Sequence, residues 1–423
     1  MQEKLTFAIV GTGSRGVLCF GELLKKRSDC TIKALCDRNA IRAKIAAGKL
    51  GSPAIYTDLE LLLKEAKPDA VIITTPDASH EECAVKALKH KVNILIDKPL
   101  ATTVKGCRNI IREAEKSGKV AMMGFNLRHA PLLMKLKEIV ETGVLGRIFL
   151  VENREFYSNG RTYMARWNGR KSSSGGLWIH KGSHDFDVFN WLFGFPKPCK
   201  VAAFAGMNVF IPDGFPFPLE KDIRPGPCCS ECHYAENGLC KDAYPHTEEE
   251  WSGEARKLDG YVKDSCIYLS DRSVHDNGFA IVEYENGVRA CHMECFVTGM
   301  SDRFYTVVGT LGQASLSLAG CTLTVLKRWS NEKIVYEIPE PRGGHAGADP
   351  GLLESFIRAI RGTEPNTATF DQGMLSTAIG EAAELSRAEN RVVFLKELLD
   401  PGEAPQKGDS AAIKRYFNAT VGE

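Results

Sequence analysis

Apolar residues in the first third of the chain come in short unbroken runs. LTFAIV (5–10), TIKALC (31–36), AVIITT (70–75), VNILID (92–97) and KVAMMG (119–124) each have the length of one strand. Continuous rather than alternating apolar runs mark strands buried on both faces. The intervals between them leave room for helices. DLELLLKEA (58–66) is one, with Thr57 as its predicted N-cap. Strands alternating with helices predict an α/β unit with a parallel sheet covered on both sides. From about residue 124 the pattern changes. RIFLVENREFY (147–157) and KVAAFAGMNVF (200–210) read as strands, and FAIVEYENGVRACHMECFV (279–297) reads as a hairpin turned at Asn286–Gly287. Two further strand-like runs follow, then helices GLLESFIRAIRG (351–362) and MLSTAIGEAAELSRA (374–388). Strands joined by short turns predict an α+β unit whose sheet is mostly antiparallel. The chain therefore reads as two domains, 1–123 and 124–423. A cysteine-rich insertion interrupts the second at about 208–265.

GTGSRG (11–16) falls between the first strand and the first helix. Gly11 permits a tight turn, Gly13 lets backbone approach a pyrophosphate, and Gly16 lets helix and strand pack closely. Thr12, Ser14 and Arg15 complete a loop whose phosphate would meet the helix N-terminus. Asp37 closes the second strand, roughly twenty residues on, where a carboxylate reaches an adenosine ribose. A plain strand-to-helix turn is the competing reading. Asp37 would repel a 2′-phosphate, so NAD is expected rather than NADP. Arg38 beside it weakens that preference.

Composition removes several classes. Lys+Arg 54 against Asp+Glu 53 leaves a net charge of +1, which gives no electrostatic case for nucleic acid or an anionic membrane. No apolar run approaches a spanning length. MQEKLTFAIV lacks the shape of a signal peptide. A cytoplasmic protein is expected, with its 14 cysteines as thiols or metal ligands.

IHKGSHDFD (179–187) carries the candidate chemistry. At about 100° per residue, His180, His184 and Asp187 share one helical stripe. Ile179, Phe186, Val188, Phe189 and Leu192 cover the other side. Two histidines a turn apart, with Asp187 beyond, could also bind a metal. They could equally be satisfied by backbone or solvent. Lys98 follows a buried strand at the carboxyl edge of the sheet, where open α/β folds bind ligands. Pro99 fixes the turn after it.

Four ordered segments resemble the glucose-fructose oxidoreductase / inositol dehydrogenase / MocA (Gfo/Idh/MocA) family. The loop Thr75, Pro76, Asp77 and His80 has Asp where the family usually has Asn. The strand end Asp97-Lys98-Pro99 has Asp for Glu. GFNLRHAP (124–131) has His129 where Tyr is common. GGLWIHKGSHDFDVFNWLFG (175–194) has His180 where an aspartate is usual. The resemblance runs from residue 5 to about 390 and is weakest across 208–265. It implies a Rossmann NAD-binding domain in which Thr75, Pro76, His80 and Asp97 also face the cofactor. It also implies a second domain with an open sheet, one face often covered by a subunit partner, hence a homo-dimer or tetramer. His184 would be the acid/base and Lys98 would hold the reacting oxygen. His180 or Asp187 would orient His184. The expected activity is hydride transfer between NAD and a sugar, polyol or sugar derivative. Sugar modification through transient oxidation, without net redox change, is the alternative. A non-catalytic sensor is the reading from another class. Asn126, Arg128, Tyr157, Arg166 and Trp167 are the candidate substrate contacts.

PCCSECHYAENGLC (227–240) is the other unusual stretch. Cys229, Cys232 and Cys240, with Cys266 as a fourth thiol, have the character of a structural zinc site. A loop of free thiols is the alternative. The segment lacks apolar periodicity, so a metal is expected to order it.

Overall fold

The computed structural model describes residues 3–246, 248–249, 253–339 and 345–400. The first sheet has six strands: β1 (Leu5–Val10), β2 (Cys30–Cys36), β3 (Ala54–Tyr56), β4 (Ala70–Ile73), β5 (Asn93–Asp97) and β6 (Ala121–Gly124). Their order is β3-β2-β1-β4-β5-β6, with every pair parallel. β4 is buried along its whole length, as its continuous apolar run requires. The strand order reverses between β1 and β4, so a crevice opens at their carboxyl ends. β3 escaped the sequence pattern because it is three residues long and lies at the sheet edge with Ala54 and Ile55 exposed. The helix Leu59–Glu65 is capped by Asp58 rather than Thr57. The Asp58 carboxylate accepts from Leu61 N–H at 2.8 Å, which moves the start one residue on.

The second sheet has nine strands: β7 (Ile148–Phe156), β8 (Pro198–Gly206), β9 (Asn277–Tyr284), β10 (Arg289–Cys295), β11 (Asp302–Gly309), β12 (Gly312–Ser317), β13 (Thr322–Lys327), β14 (Lys333–Glu337) and β15 (Val393–Phe394). Their order is β14-β13-β12-β11-β7-β10-β9-β8-β15. All neighbours are antiparallel except the β7/β10 pair. The β9–β10 hairpin turns at Gly287, whose φ of +80° only glycine adopts freely. One face of this sheet buries Ala280, Val282, Ala290 and Val307 beneath the helices Ser183–Leu192 and Phe370–Glu389. The other face leaves Phe204, Phe279 and Ile281 at 70%, 44% and 49% exposure.

The two layers share packing. Leu352, Phe356 and Ile357, from the helix Asp349–Ile360, belong to the first core, and Phe356 meets Phe7 edge-on at 6.4 Å. The insertion between β8 and β9 is held by rings rather than by regular elements. Phe215 lies 4.5 Å from Tyr268, Phe217 lies 5.2 Å from Tyr234, and the Tyr234 hydroxyl donates to Ile223 O at 2.9 Å.

Candidate active site

A cavity of about 810 Å³ opens at the strand-order reversal. Its lining joins the glycine loop, Asp37 and Arg38, the 74–80 loop, Lys98, residues 163–184, and Asp259, Tyr261 and Lys263 of the insertion.

The glycine loop has the shape a dinucleotide needs. Gly11 has φ +93°, and a Cβ there would lie 2.7 Å from Thr75 N. A Cβ on Gly16 would lie 2.7 Å from Thr74 Oγ1, whereas Gly13 faces open space at the cavity wall. The Asp37 carboxylate accepts from Thr12 N and Thr12 Oγ1, both at 2.9 Å, and from Asn39 N at 2.9 Å. These bonds fix its direction at the cavity edge. Thr75 Oγ1 is buried without a partner among the described residues, a polar atom left for a ligand to satisfy. His80 ties the 74–80 loop to the Lys98 turn, its ring nitrogens lying 3.0 Å from Thr75 O and 2.7 Å from Pro99 O. Arg15 lines the cavity and also joins the two layers. It bonds Asp97 at 3.0 Å and Asp349 at 2.8 Å and stacks on Phe20, which bridges the two layers.

At the other end of the cavity stand two lysines and two histidines. Lys98 Nζ donates to His180 O at 2.6 Å. Burial pulls its pKa below the usual lysine value, against the attraction of Asp77 and Asp97. His184 lines the cavity, with Nδ1 buried and without a partner among the described residues. Burial, with Lys98 and Arg303 nearby, holds its pKa well below 6.5, so its ring is neutral. Lys181 reaches Glu155 and the Tyr163 hydroxyl, both at 3.1 Å, and burial does not stop Glu155 from raising its pKa. Beneath lies a buried ionic layer in which Arg303 bonds Asp185 at 3.1 Å.

The predicted continuous stripe is broken. Leu177–His180 and Ser183–Leu192 are separate helical segments, kinked at Lys181–Gly182. His180 and His184 still line one cavity, but Asp187 does not. Both Asp187 oxygens accept from Arg128, at 2.6 and 2.9 Å. Asp187 therefore orients an arginine, not His184. Arg128 in turn also bonds Thr367 O and Gln372 and stacks on Phe125 and Phe195, so it braces the helices and is absent from the cavity wall. Asn126 is buried on Asp349 at 2.8 Å and Tyr157 packs on Tyr163, and neither lines the cavity. Of the five candidate substrate contacts, Arg166 and Trp167 do.

His180 has its own partners. Asn168 Nδ2 lies 2.7 Å from His180 Nε2, and Asp77 Oδ2 lies 2.7 Å from Nδ1. With the amide donating to Nε2, the ring proton sits on Nδ1 and points at Asp77. Burial pushes the Asp77 carboxyl up to about 7 and pushes His180 well down. Two of the four positions where this chain departs from the family pattern, Asp77 and His180, thus meet each other. The sequence shows each departure but not their contact, because more than a hundred positions separate them. Tyr163, Asn168, Asp259, Tyr261 and Lys263 also line the site and carried no motif to mark them, and Lys181 lay unremarked inside the histidine segment.

The cysteine segment differs from its expectation. Among the described residues no three His, Cys, Asp or Glu side chains converge as metal ligands, either at Cys229, Cys232, Cys240 and Cys266 or at His180, His184 and Asp187. All the cysteines are free thiols. Cys229, Cys232, Cys240 and Cys266 do lie close enough to act on one another electrostatically. The ring cluster also orders the segment, as does Asp264, whose carbonyl oxygen accepts from Cys229 N and whose carboxylate accepts from Ser230 N, both at 2.8 Å.

The chain matches known proteins along most of its length. Residues 5–125 match the model of the oxidoreductase family's NAD-binding Rossmann fold, and 137–395 match its C-terminal alpha/beta domain. The Bacillus subtilis protein YteT, an oxidoreductase by name, is 28% identical over 80% of this chain and 83% of its own. D-glucoside 3-dehydrogenase of Escherichia coli is 30% identical over 48% of this chain and 57% of its own. The WlbA dehydrogenase of Bordetella pertussis, solved with NADH and UDP-GlcNAcA, superposes with a TM-score of 0.66 at 18% identity, over 93% of this chain and 99% of that one. A glycine loop built for a pyrophosphate, a lysine at the carboxyl end of β5 and two family models across both layers give one conclusion: the chain belongs to the Gfo/Idh/MocA oxidoreductases, with an NAD-binding Rossmann domain and a C-terminal alpha/beta domain.

Proposed function

We propose that this chain transfers hydride between NAD and the hydroxyl-bearing carbon of a sugar, polyol or sugar derivative. The observation that carries the reading is His184: buried at the cavity wall, held neutral, and with a ring nitrogen that no described residue occupies. Bound NAD supplies a hydride acceptor at its nicotinamide. His184 would take the hydroxyl proton as hydride leaves the same carbon for the nicotinamide, and the carbon would be left as a carbonyl. Lys98, whose pKa burial lowers against the attraction of Asp77 and Asp97, donates in its protonated form to the same oxygen as negative charge grows on it. His180 shares its proton with Asp77 and offers its main-chain carbonyl to Lys98, so it aims the lysine rather than reacting. The polar walls at Tyr163, Arg166, Asn168 and Lys181 suit a polyhydroxylated substrate. The matched D-glucoside 3-dehydrogenase supports the same class.

Asp37 at the ribose edge supports NAD over NADP, and Asp259 holds Arg42, a cation that would otherwise welcome a 2′-phosphate. The exposed apolar face of β8 and β9 supports a homo-oligomer, and the fourteen free thiols suit a cytoplasmic setting. The test is absorbance of reduced nicotinamide with a panel of sugars and polyols. Net NADH formation with one of them is expected. A sugar product formed without net reduction would replace this reading by transient oxidation. Tight NAD binding without turnover on any of them would replace it by a sensor.

A further inference from the structure

The insertion reaches back to the dinucleotide domain and touches it at three successive places. Asn39, at the start of the helix Ala40–Lys49, donates Nδ2 to Ala255 O at 2.7 Å and to Asp259 Oδ2 at 3.0 Å. Arg42 Nη2 donates to Asp259 Oδ1 at 3.0 Å, and its other amino group bonds the second oxygen. The Tyr261 ring stacks on the same guanidinium at 5.3 Å. Lys263 Nζ then donates to Ser14 Oγ at 3.2 Å, inside the glycine loop. Asp259, Tyr261 and Lys263 line the cavity together with Asp37, Arg38 and Arg42. Lys263 is itself buried, at 8% exposure, and lines the cavity.

We propose that residues 254–263 form a strap across the adenosine diphosphate half of the cofactor site, with Lys263 as a ligand of the NAD pyrophosphate. The glycine loop presents backbone N–H groups to a diphosphate, and the only charge these supply is partial. Lys263 adds a full positive charge at the same loop, beside Ser14. The Asp259–Arg42 pair is the clasp. It fixes the strap to the helix that follows the ribose carboxylate, and part of its bonding is shielded, since Arg42 is buried. NAD then leaves only when the clasp opens, so the opening of the Asp259–Arg42 pair sets the rate of cofactor release. The inference needs only that the chain binds NAD, and it stands whichever reaction the site performs.

The experiment uses the full-length protein and NADH as probe. Dissociation is followed by stopped-flow fluorescence on displacement with excess NAD, and affinity by equilibrium titration. Lys263→Met keeps the aliphatic stem and removes the charge. It is expected to weaken NADH roughly tenfold and flatten the salt dependence of binding, while Lys263→Arg retains both. Asp259→Ala opens the clasp and is expected to speed NADH release roughly tenfold. Lys257→Met, on the exposed side of the helix Glu254–Asp259, is expected to change neither. Hydrogen exchange on the unaltered protein gives a readout that no folding defect can disturb: amides 254–263 are expected to be protected when NADH is added. Release and affinity within twofold of wild type in both Lys263→Met and Asp259→Ala would overturn the strap. So would a strap whose exchange ignores NADH.

Discussion

At the scale of single residues, burial sets the chemistry. His184 is neutral because desolvation and nearby cations oppose its protonation. As a base it must be unprotonated, so kcat/KM falls as pH drops through its pKa, and the acid limb lies below pH 6.5. Lys98 must be protonated to donate, so the alkaline limb falls as pH rises through a pKa below 10.5. His184→Asn is expected to lower kcat by about 10²–10⁴ and abolish the acid limb with NADH affinity unchanged. An acid limb that survives the substitution assigns it to another group. The Asp77–His180 contact makes a second prediction. His180→Asp alone sets two carboxylates against each other in a buried place and is expected to lose both activity and stability. Adding Asp77→Asn restores the pair usual in the family and is expected to recover about 1–3 kcal/mol of coupling in a double-mutant cycle read by urea unfolding. Strictly additive losses would show that the two side chains do not act together.

At the scale of elements, the helix Ser183–Leu192 is positioned by charge as much as by apolar packing. It buries Phe186, Val188, Phe189 and Leu192 on the sheet, and Asp187 pins its flank to Arg128. That guanidinium also holds Thr367 O and the start of the helix Phe370–Glu389 through Gln372. Arg128→Ala strands a fully buried carboxylate and is expected to cost about 3–5 kcal/mol in denaturant unfolding. A paired change, Arg128→Met with Asp187→Leu, is expected to cost far less, because no uncompensated charge remains. A single substitution no more costly than the pair would mean that the contact carries little of the helix's placement. The kink at Lys181–Gly182 has a related consequence: it lets His180 turn toward Asp77 while His184 faces the cavity from a separate segment.

At the scale of the whole molecule, the exposed face of the nine-stranded sheet carries the next test. Phe204 and Phe279 are register partners on neighbouring strands, and both project outward. Phe279→Asp is expected to shift the assembly to monomer in light scattering without altering the cofactor site on the far layer. An unchanged mass would leave that face without a role in assembly. The same scale shows what could be read beforehand. Continuous apolar runs dictated the parallel sheet, because strands buried on both faces need apolar residues at every position. The glycine loop, Asp37, Lys98 and His184 were legible because each is tied to a local turn, strand end or helix. The roles of Asn126, Arg128 and Asp187 were not, since a buried charge is explained only by its partner, and Arg128 and Asp187 are far apart in the chain. The cysteine spacing suggested a metal, and it gave no sign of the aromatic packing that also orders the segment. Local patterning thus determined the two layers and the position of the reacting end of the site. Only tertiary structure decided the Asp77–His180 pairing, the bracing role of Arg128 and the contacts of a distant insertion with the cavity wall, because each is a contact between segments that no local periodicity connects.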